Sequence, residues 1–597
     1  MDKPQGTRRR KARRRVMVLL VLCCAVFALF LARLAWLQFA MADHYAQKMA
    51  EAGSASYTLP QHAARGAITD RSGTVLAQDE TVYDVYLRVP APPGTNLRET
   101  VNTIAALTGG KDVETQLAAF CSAVSAGELP VTQGLDSIGA AAYYRAGLVQ
   151  SGAVRLAARG VRRWPDGTIL PHTLGFTGPI TAEQWPAARA QGLAMDATIG
   201  QNGLEAAYDT LLRGRDGQLQ INVGLDGVTR ETVQTSTPVP GCTLVLTLDA
   251  DLQKTLQTAL QNQMDTLRTT KGIGAGREVR AGAAVVVDVR TGGILAAVSL
   301  PDFDLSRYRS DYAALSADSA APLLDRVCQG LYAPGSAFKP AVAAAALTAG
   351  IDPAATVNCT GKYFYYSNYH PGCLQYGHRG PVDLRTALEY SCNIFFYDTG
   401  RRLGVDTFSA MARQLGLAND TGVEITAAQG RLTWSTDTNY QDGLTLMAAI
   451  GQGNTAVTPL QLAQYAAALA NYGRKPTLHF ADRAVQPATG AAVWQYEPAF
   501  TEIPGGEAVF GPIRDGMKRM AQTARALREA PVTVAAKTGS PQLADTLPGG
   551  SHYVNSVLIG YAPADDPQIA MAVVLEYGGG GANAAPVMRA VLDAWFE

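Results

Sequence analysis

Hydrophobic residues are most densely grouped near the N-terminus of this chain. An apolar run extends from Val16 to Ala32 and continues past Arg33 to Phe39. It is long enough for one membrane-spanning helix, which we place at residues 16–39. No later segment of the sequence is long and apolar enough to span a membrane.

A basic cluster precedes the apolar run, with arginine or lysine at positions 8, 9, 10, 11, 13, 14 and 15. Because clustered basic residues remain in the cytoplasm, residues 1–15 are expected to form a disordered cytoplasmic tail, and the chain after about residue 40 is expected outside. A signal peptide cleaved after Ala40-Met41-Ala42 is the alternative. The apolar stretch is longer than a typical signal core, which favours an uncleaved single-pass anchor with a helical exit at 44–55.

Between the anchor and about residue 249, some segments show the hydrophobic period of a strand and others that of a helix. Residues 82–87 alternate between apolar and polar, as a half-buried strand does. Alanine-rich stretches within 98–150 and the spacing of apolar residues in 203–212 predict helices. We therefore predict a mixed α/β domain at 40–249, elongated so that it lifts the following domain off the membrane.

The remaining segment, 250–597, has strand patterns at both ends and a long helical middle. That order predicts an α+β domain with one antiparallel sheet of five strands, flanked by helices. The predicted elements are a helix at 250–268, strands at 283–288, 293–299, 532–538, 553–561 and 569–577, a largely helical block at 336–525 and a closing helix at 585–596.

Charge and composition exclude several functions. The 51 basic residues balance 51 acidic ones, so no global positive field indicates a nucleic-acid partner. The six cysteines outside the apolar run are too few for a disulfide scaffold in so long a chain. Gly578–Gly581 lies in no phosphate-loop context and is predicted to be a flexible loop. We expect no cofactor and no metal ion.

Ser336-Ala337-Phe338-Lys339 is the only Ser-x-x-Lys sequence in the chain. At this spacing on a helix, the hydroxyl and the amine lie on one face. A helix N-cap would explain Ser336 but not Lys339, which precedes a buried alanine-rich helix. Burial lowers the pKa of a lysine, and a neutral amine can take the serine proton. We predict Ser336 as nucleophile and Lys339 as its base.

A second motif, Ser391-Cys392-Asn393, begins an apolar helix. Alone, it would be an unremarkable helix start. Beside Ser336 and Lys339 it supplies a second hydroxyl to relay the proton, and the Asn393 amide can hold a peptide substrate.

A third motif, Lys537-Thr538-Gly539-Ser540, ends a predicted strand, and its simplest interpretation is a strand exit with a solvated lysine. As part of a site, Lys537 would direct positive charge toward a substrate carboxylate. Thr538 and Ser540 would bind substrate through their hydroxyls, and Gly539 would let the backbone approach closely. The backbone N–H groups of Ser540 and Ser336 are predicted to form an oxyanion hole.

These three motifs, in this order, resemble those of the class B penicillin-binding proteins, the monofunctional cell-wall D,D-transpeptidases. The resemblance covers nearly the whole chain. It also rests on Arg65-Gly66 with Asp70-Arg71 and Gly73, on Gly203-Leu204-Glu205 with Tyr208 and Leu212-Arg213-Gly214, and on Ile450-Gly451-Gln452-Gly453 with Thr458-Pro459-Leu460-Gln461. Ser540 stands where threonine is also common, and Cys392 is the variable middle position of its motif.

The resemblance implies a pedestal domain, a penicillin-binding transpeptidase domain and a mechanism. Ser336 attacks the D-Ala-D-Ala donor of a stem peptide, releases D-alanine and forms an acyl-enzyme, which an amine of a second stem peptide resolves into a cross-link. Lys339, Ser391, Asn393 and Lys537 complete the catalytic set. β-Lactams acylate the same serine. A polytopic membrane glycosyltransferase is the implied partner, contacting the anchor and the pedestal.

Two rival interpretations remain beside this one. A serine β-lactamase or a β-lactam sensor would need to hydrolyse or report the acyl-enzyme, and no Glu-x-x-Leu-Asn sequence lies between Ser391 and Lys537 to supply a deacylation base. A non-catalytic scaffold of a wall-synthesis complex would not need the intact hydroxyl and amine groups of the motifs.

The cysteines near the second motif suggest further chemistry. We predict that Cys373 and Cys392 approach each other and form a redox-sensitive disulfide, with pairing of Cys359 and Cys373 as an equal alternative. A zinc site from Cys359, His370, Cys373 and His378 is the third alternative, although these spacings match no standard zinc motif.

Overall fold

The computed structural model describes residues 5–42, 44, 55–124, 127–195, 197–223, 229–373, 378–548 and 550–597. These residues form two compact units. One contains Met1–Ala63 with Arg215–Val239, and the other contains Ala64–Gly214 with Pro240–Glu597. Most of the predicted helical exit at 44–55 lies outside the described residues.

The first unit contains the apolar helix. It begins at Gln5, runs to Ala35 and continues as a π-helical turn, Trp36–Ala40. Within the described ranges, Arg13–Ala40 is the one stretch long and apolar enough to cross a membrane. The expectation of a disordered tail is wrong from residue 5 onward, because arginine and lysine are good helix formers and extend the apolar helix backward. The unit also has an antiparallel sheet of Ala55–Gln61, Gly217–Val223 and Thr229–Ser236.

The second unit begins with the predicted mixed α/β pedestal. Its long strand Val75–Val89 belongs to a sheet to which both halves of the chain contribute strands. Helices at Leu97–Leu107, Val113–Ala123 and Ser137–Arg145 bury their apolar faces with Val85 and Leu87. In spatial order the strands are Ala492–Gln495, Ala481–Val485, Thr243–Leu246, Ile68–Thr69, Val75–Val89 and Gly127–Leu135, with Val154–Arg163 also paired to Val75–Val89. Short elements follow at Pro171–Leu174, Thr177–Pro179, Trp185–Ala190, Thr198–Gly200, Gly203–Ala207 and Asp209–Leu212.

The sheet order corrects one prediction. The block 336–525 was expected to be largely helical, yet it contributes Ala481–Val485 and Ala492–Gln495 to the pedestal sheet and pairs Arg474–Pro476 with Phe500–Glu502. These strands are three to five residues long. So few residues give too little alternation to predict a strand, and pairing with distant segments decides their conformation.

A buried ionic cluster joins the two pedestal motifs. Glu205 is completely buried, and its two carboxylate oxygens accept from Arg65 Nε and Arg162 Nε, both at 2.6 Å. Arg65 also pairs with Asp209 at 2.7 Å. Each of these buried charges thus has an opposite partner, and the pair of Arg65 with Glu205 connects the first pedestal motif to the second.

The predicted five-stranded antiparallel sheet is confirmed. Successive residues of Gly282–Asp288 alternate between two cores, with Val285 packed on one face and Val286 on the other. Ala250–Arg268 and Ala585–Phe596 cover the Val286 face, and Pro459–Ala470 covers the opposite one. In spatial order the strands are Ile294–Leu300, Gly282–Asp288, Ile569–Leu575, Ser556–Ala562 and Ala535–Gly539.

The other helices of this domain are Tyr308–Ala317, Lys339–Thr348, Leu384–Glu389, Asn393–Leu403, Val405–Gln414, Asp442–Ala449, Gly506–Thr523 and Arg525–Arg528. Two further pairs of short antiparallel strands join Val357–Cys359 to Gly380–Val382 and Gln542–Thr546 to His552–Val554.

Candidate active site

Ser336 lies in a 3-10 turn, Gly335–Phe338, which we call the nucleophile turn; it leads directly into the helix Lys339–Thr348. The Ser336 side chain is half-buried. Its hydroxyl caps neither helix and has no hydrogen-bond partner among the residues that the structure describes. The helix-cap alternative is therefore not realised, and within the described ranges Ser336 also forms no hydrogen bond with Lys339, its predicted base.

Lys339 is completely buried beside the second motif. Its Nζ donates to Ser391 O at 2.7 Å, to Ser391 Oγ at 3.1 Å and to Asn393 Oδ1 at 2.7 Å. Burial lowers the pKa of Lys339 to about 7, against the smaller opposing effect of nearby thiols. The three donated hydrogen bonds are those of the protonated amine. The lowered pKa is the direction that a base for Ser336 requires, because only the neutral amine can accept a proton.

The hydroxyl of Ser391 is shared by two lysines. Lys537 Nζ donates to it at 3.0 Å, from the opposite motif. Ser391 has φ of +56°, a left-handed conformation that is strained for a serine. The structure thus holds this hydroxyl between the amines of Lys339 and Lys537.

Lys537 is also completely buried, and burial, with Lys339 second, moves its pKa well below the ordinary value. Within the described ranges, neither buried lysine forms a salt bridge. The immediate contact of Lys537 is therefore a serine hydroxyl, whereas the sequence predicted a cation aimed at a substrate carboxylate.

The end of the strand Ala535–Gly539 lies against the nucleophile turn. A Cβ on Gly539 would stand 2.2 Å from the carbonyl oxygen of Pro334, so only glycine allows this approach. Ser540 N lies 3.2 Å from the position of a Cβ on Gly335, the residue before the nucleophile. Across the described ranges, neither the N–H of Ser336 nor that of Ser540 donates to another residue.

The glycine loop after the last strand belongs to this site as well. The N–H of Gly581 donates to Ser540 Oγ at 2.8 Å, and Gly581 begins a 3-10 turn, Gly581–Ala584. The prediction of a simple flexible loop at Gly578–Gly581 missed this contact. A run of glycines directly after a strand was the available signal, since glycine permits close backbone approach.

Three cysteines and a histidine gather beside the second motif. The ligand atoms of Cys359, Cys373, His378 and Cys392 all lie within 4.8 Å of one another, and all four residues are buried. The eight cysteines all lie in the described part of the chain and are free thiols. Cys373 does approach Cys392 as predicted, without a bond between them. His370 is exposed, packs on Phe364 and lies outside this group. The four-residue set predicted from the sequence therefore contains His370 where the structure has Cys392.

The donor set suits a zinc ion. Tetrahedral coordination by three thiolates and an imidazole places ligand atoms about 3.5–3.8 Å apart. Cys373 Sγ and His378 Nε2 are separated by 3.6 Å, and the ring of His378 stacks on Tyr390. The group also connects to the catalytic motif, because Asn393 Nδ2 donates to Gly372 O at 3.2 Å.

The comparisons with known proteins agree with this geometry. Residues 282–593 match the family described as "Penicillin binding protein transpeptidase domain", and residues 60–246 match "Penicillin-binding Protein dimerisation domain". Because the first match alone covers more than half of the chain, the chain belongs to the penicillin-binding protein transpeptidase family. The two domains together are those of the class B, monofunctional D,D-transpeptidases. This confirms the resemblance, the fold class and the enzyme class predicted from the sequence.

Several individual proteins are similar over most of their length. The peptidoglycan D,D-transpeptidase MrdA of Acinetobacter baumannii is 29% identical over 603 residues, 96% of this chain and 86% of that protein. MrdA of Escherichia coli K12 is 27% identical, over 90% of this chain and 87% of that protein. A chain from the structure titled "Structural coordination of polymerization and crosslinking by a peptidoglycan synthase complex" is 28% identical, with a TM-score of 0.73, covering 97% of this chain and 98% of that one.

Family membership settles the coarse function. The domain acts on peptidoglycan stem peptides and binds β-lactams. The N-terminal apolar helix, the one candidate span among the described residues, together with the MrdA relatives indicates a membrane-anchored protein. Neither the β-lactamase and sensor alternatives nor the scaffold alternative is favoured by these relatives.

Proposed function

We propose that Ser336 is the nucleophile of a peptidoglycan D,D-transpeptidase. It attacks the carbonyl carbon of the D-Ala-D-Ala bond, forms a peptidyl ester and releases D-alanine; an amine of a second stem peptide then displaces the serine. The observation that carries this proposal is the complete burial of Lys339, which is the first residue of the helix that follows the nucleophile turn. In its neutral form this amine accepts the Ser336 proton.

Ser391 completes the proton path in this proposal. Its hydroxyl, held between Lys339 and Lys537, receives a proton from the Lys339 side and passes one to the nitrogen of the leaving D-alanine. Lys537 orients Ser391 as a hydrogen-bond donor. Asn393 keeps the Lys339 amine in place through its Oδ1. Its Nδ2 donates to Gly372 O, and the second N–H of that nitrogen is the group proposed to bind the peptide.

The strand edge beside Ser336 serves as the binding surface. Ala535–Gly539 is the last strand of its sheet, so one edge of its backbone is available to pair with an extended stem peptide. Thr538 and Ser540 offer hydroxyls to the terminal carboxylate. The unpartnered N–H groups of Ser336 and Ser540 stabilise the negative oxygen of the tetrahedral intermediate.

The membrane arrangement extends this proposal. The basic cluster before the apolar helix supports a cytoplasmic tail at 1–15, an uncleaved anchor at 16–39, and an extracytoplasmic pedestal and transpeptidase domain at 40–249 and 250–597. A polytopic membrane glycosyltransferase is the proposed partner, since the similar synthase complex is titled for polymerization together with crosslinking.

A zinc ion held by Cys359, Cys373, His378 and Cys392 is proposed as a structural element. Such an ion would fix the loop that carries Gly372, on which Asn393 rests, and would keep the three thiols from oxidising. This replaces the sequence-based expectation of no metal ion.

Labelling with a fluorescent penicillin tests the assignment of Ser336. The purified full-length chain should take up one label per molecule, stable for hours, which Ser336→Ala abolishes. Ser435→Ala, an exposed serine of the same domain, is the matched control and should label normally. Rapid loss of the label would instead indicate a β-lactamase, and no labelling at all would indicate a scaffold.

A further inference from the structure

One carboxylate outside the three motifs connects several parts of the active site. Glu576 directly follows the strand Ile569–Leu575. Its Oε1 accepts from the hydroxyl of Tyr332 at 2.7 Å and from Arg326 Nε at 2.9 Å. Tyr332 and Arg326 are buried, and the Glu576 side chain is 23% exposed.

Through Tyr332, Glu576 reaches the nucleophile turn. Tyr332 stands four positions before Ser336, and its backbone exchanges two hydrogen bonds of 2.9 Å with Val457. The turn itself is tied to Gly451, whose carbonyl oxygen accepts from Gly335 N at 2.9 Å. The approach to the nucleophile is thus fixed by backbone on one side and by the Tyr332 hydroxyl on the other.

Through its own backbone, Glu576 begins the glycine loop. Its N–H donates to Ala281 O at 2.9 Å, which anchors it to the central strand region. The loop then returns to the site, where the Gly581 N–H holds the hydroxyl of Ser540. Arg326 adds a third anchor, because its two terminal nitrogens donate to the carbonyl oxygens of Ala320 and Ala321 at 2.7 and 2.9 Å.

The two unpartnered N–H groups of the site therefore lie on segments that meet at one residue. Ser336 follows the segment held by the side chain of Glu576, and Ser540 contacts the loop that Glu576 begins. We propose that Glu576 is a positioning residue of the oxyanion hole, acting through Tyr332 on the nucleophile turn and through the glycine loop on Ser540. This inference rests on the proposed role of Ser336 as nucleophile.

Stopped-flow acylation by a fluorescent penicillin separates positioning from simple stability. The full-length protein is compared with Glu576→Gln, Tyr332→Phe and the double variant, and each rate curve is split into the noncovalent dissociation constant and the limiting acylation rate. Displacing a reacting group by about 1 Å costs about 100-fold in rate. We expect each single variant to lose about 10- to 100-fold in the limiting rate, with an unchanged dissociation constant and an unchanged shape of the pH profile.

Tyr332→Phe removes the donor of the contact, and Glu576→Gln replaces its charged acceptor by a neutral amide oxygen, which accepts a weaker hydrogen bond. The double variant should be no slower than the slower single variant, because both changes act on the same contact. Asp593→Asn, which removes a partly exposed ion pair with Arg589 in the closing helix, is the matched control and should acylate normally. Since Glu576→Gln leaves the buried Arg326 without its carboxylate and lowers stability, Tyr332→Phe provides the milder test.

Each outcome decides the inference. Wild-type limiting rates in Tyr332→Phe and Glu576→Gln overturn it, as does a loss that appears only in the dissociation constant or only in the fraction of folded protein. If the wild type itself takes up no label at Ser336, the proposed function fails and the inference fails with it. If the wild type is labelled at Ser336 and the variants have its limiting acylation rate, the inference about Glu576 is overturned and the proposed function stands.

Discussion

The pH dependence of acylation tests the environment of Lys339 most directly. Lowering the pH charges this amine, and a charged amine cannot take the Ser336 proton. Burial lowers the pKa of Lys339 to about 7, whereas an exposed lysine titrates near about 10.4. At about pH 7.5 the buried amine therefore has both its charged and its neutral form populated, whereas an exposed amine is neutral in only roughly one part in a thousand.

The assay is the acylation rate constant of the full-length protein with a fluorescent penicillin, measured between about pH 5 and 9. Below the pKa the rate should fall about tenfold per pH unit, and above about pH 8 it should level off, because the neutral fraction behaves this way. Lys339→Arg keeps a permanent charge and should lose at least about 100-fold at every pH. Lys475→Arg is the matched control, since burial also lowers the pKa of Lys475, and it should acylate as the wild type does.

Two results would refute this reasoning. A flat profile over the whole range would show that no group with a pKa near neutrality controls the attack by Ser336. A rate that is still climbing tenfold per unit at pH 9 would show that the lysine titrates as if it were exposed, so its burial would not produce the neutral base.

Three other changes test separate parts of the structure. Glu205→Ala removes the buried carboxylate that Arg65 and Arg162 share, which leaves Arg65 with Asp209 and Arg162 with Asp79 as the remaining partners. The free energy of unfolding should fall by about 3 kcal/mol, whereas the exposed control Glu80→Ala should change it by under about 1 kcal/mol in the same urea titration. Equal effects would contradict the buried cluster. Gly539→Ala places a methyl group 2.2 Å from the carbonyl oxygen of Pro334, which directly precedes the nucleophile turn. The change should slow acylation at least about 100-fold. Normal acylation would disprove that close approach. Metal analysis should find about one zinc ion per chain, and Cys392→Ala or chelation should lower the thermal midpoint; a metal-free, equally stable wild type would remove the zinc proposal.

Much of the fold could be predicted because its elements are long and strongly patterned. The helix Ala250–Arg268 and the closing helix Ala585–Phe596 have the predicted bounds, and the strand Ile569–Leu575 ends two residues early. These elements bury whole apolar faces, which leave a clear period in the sequence. Ala481–Val485 was missed because it is short and its partner, Thr243–Leu246, lies far away in the chain.

In the candidate site, too, features that depend on local sequence could be predicted, and features that depend on distant segments could not. Ser336, Lys339 and Ser391 were predicted because their spacing within motifs is local. The contact of the buried Lys537 with the hydroxyl of Ser391 was not predicted, because the two residues lie on a strand and before a helix that are distant in sequence. Glu576 gave no signal at all, because a single glutamate after a strand is common, and only its contact with Tyr332 distinguishes it.

The order of strands in the transpeptidase sheet has a consequence for biosynthesis. Gly282–Asp288 pairs on one side with its immediate successor and on the other with Ile569–Leu575, close to the C-terminus. While the chain is still being made, the second side of that apolar strand stays uncovered, and such an edge invites association with other unfinished chains. A premature stop codon before Ile569 would therefore leave the central strand Gly282–Asp288 with one edge unpaired, instead of removing only a peripheral part of the sheet.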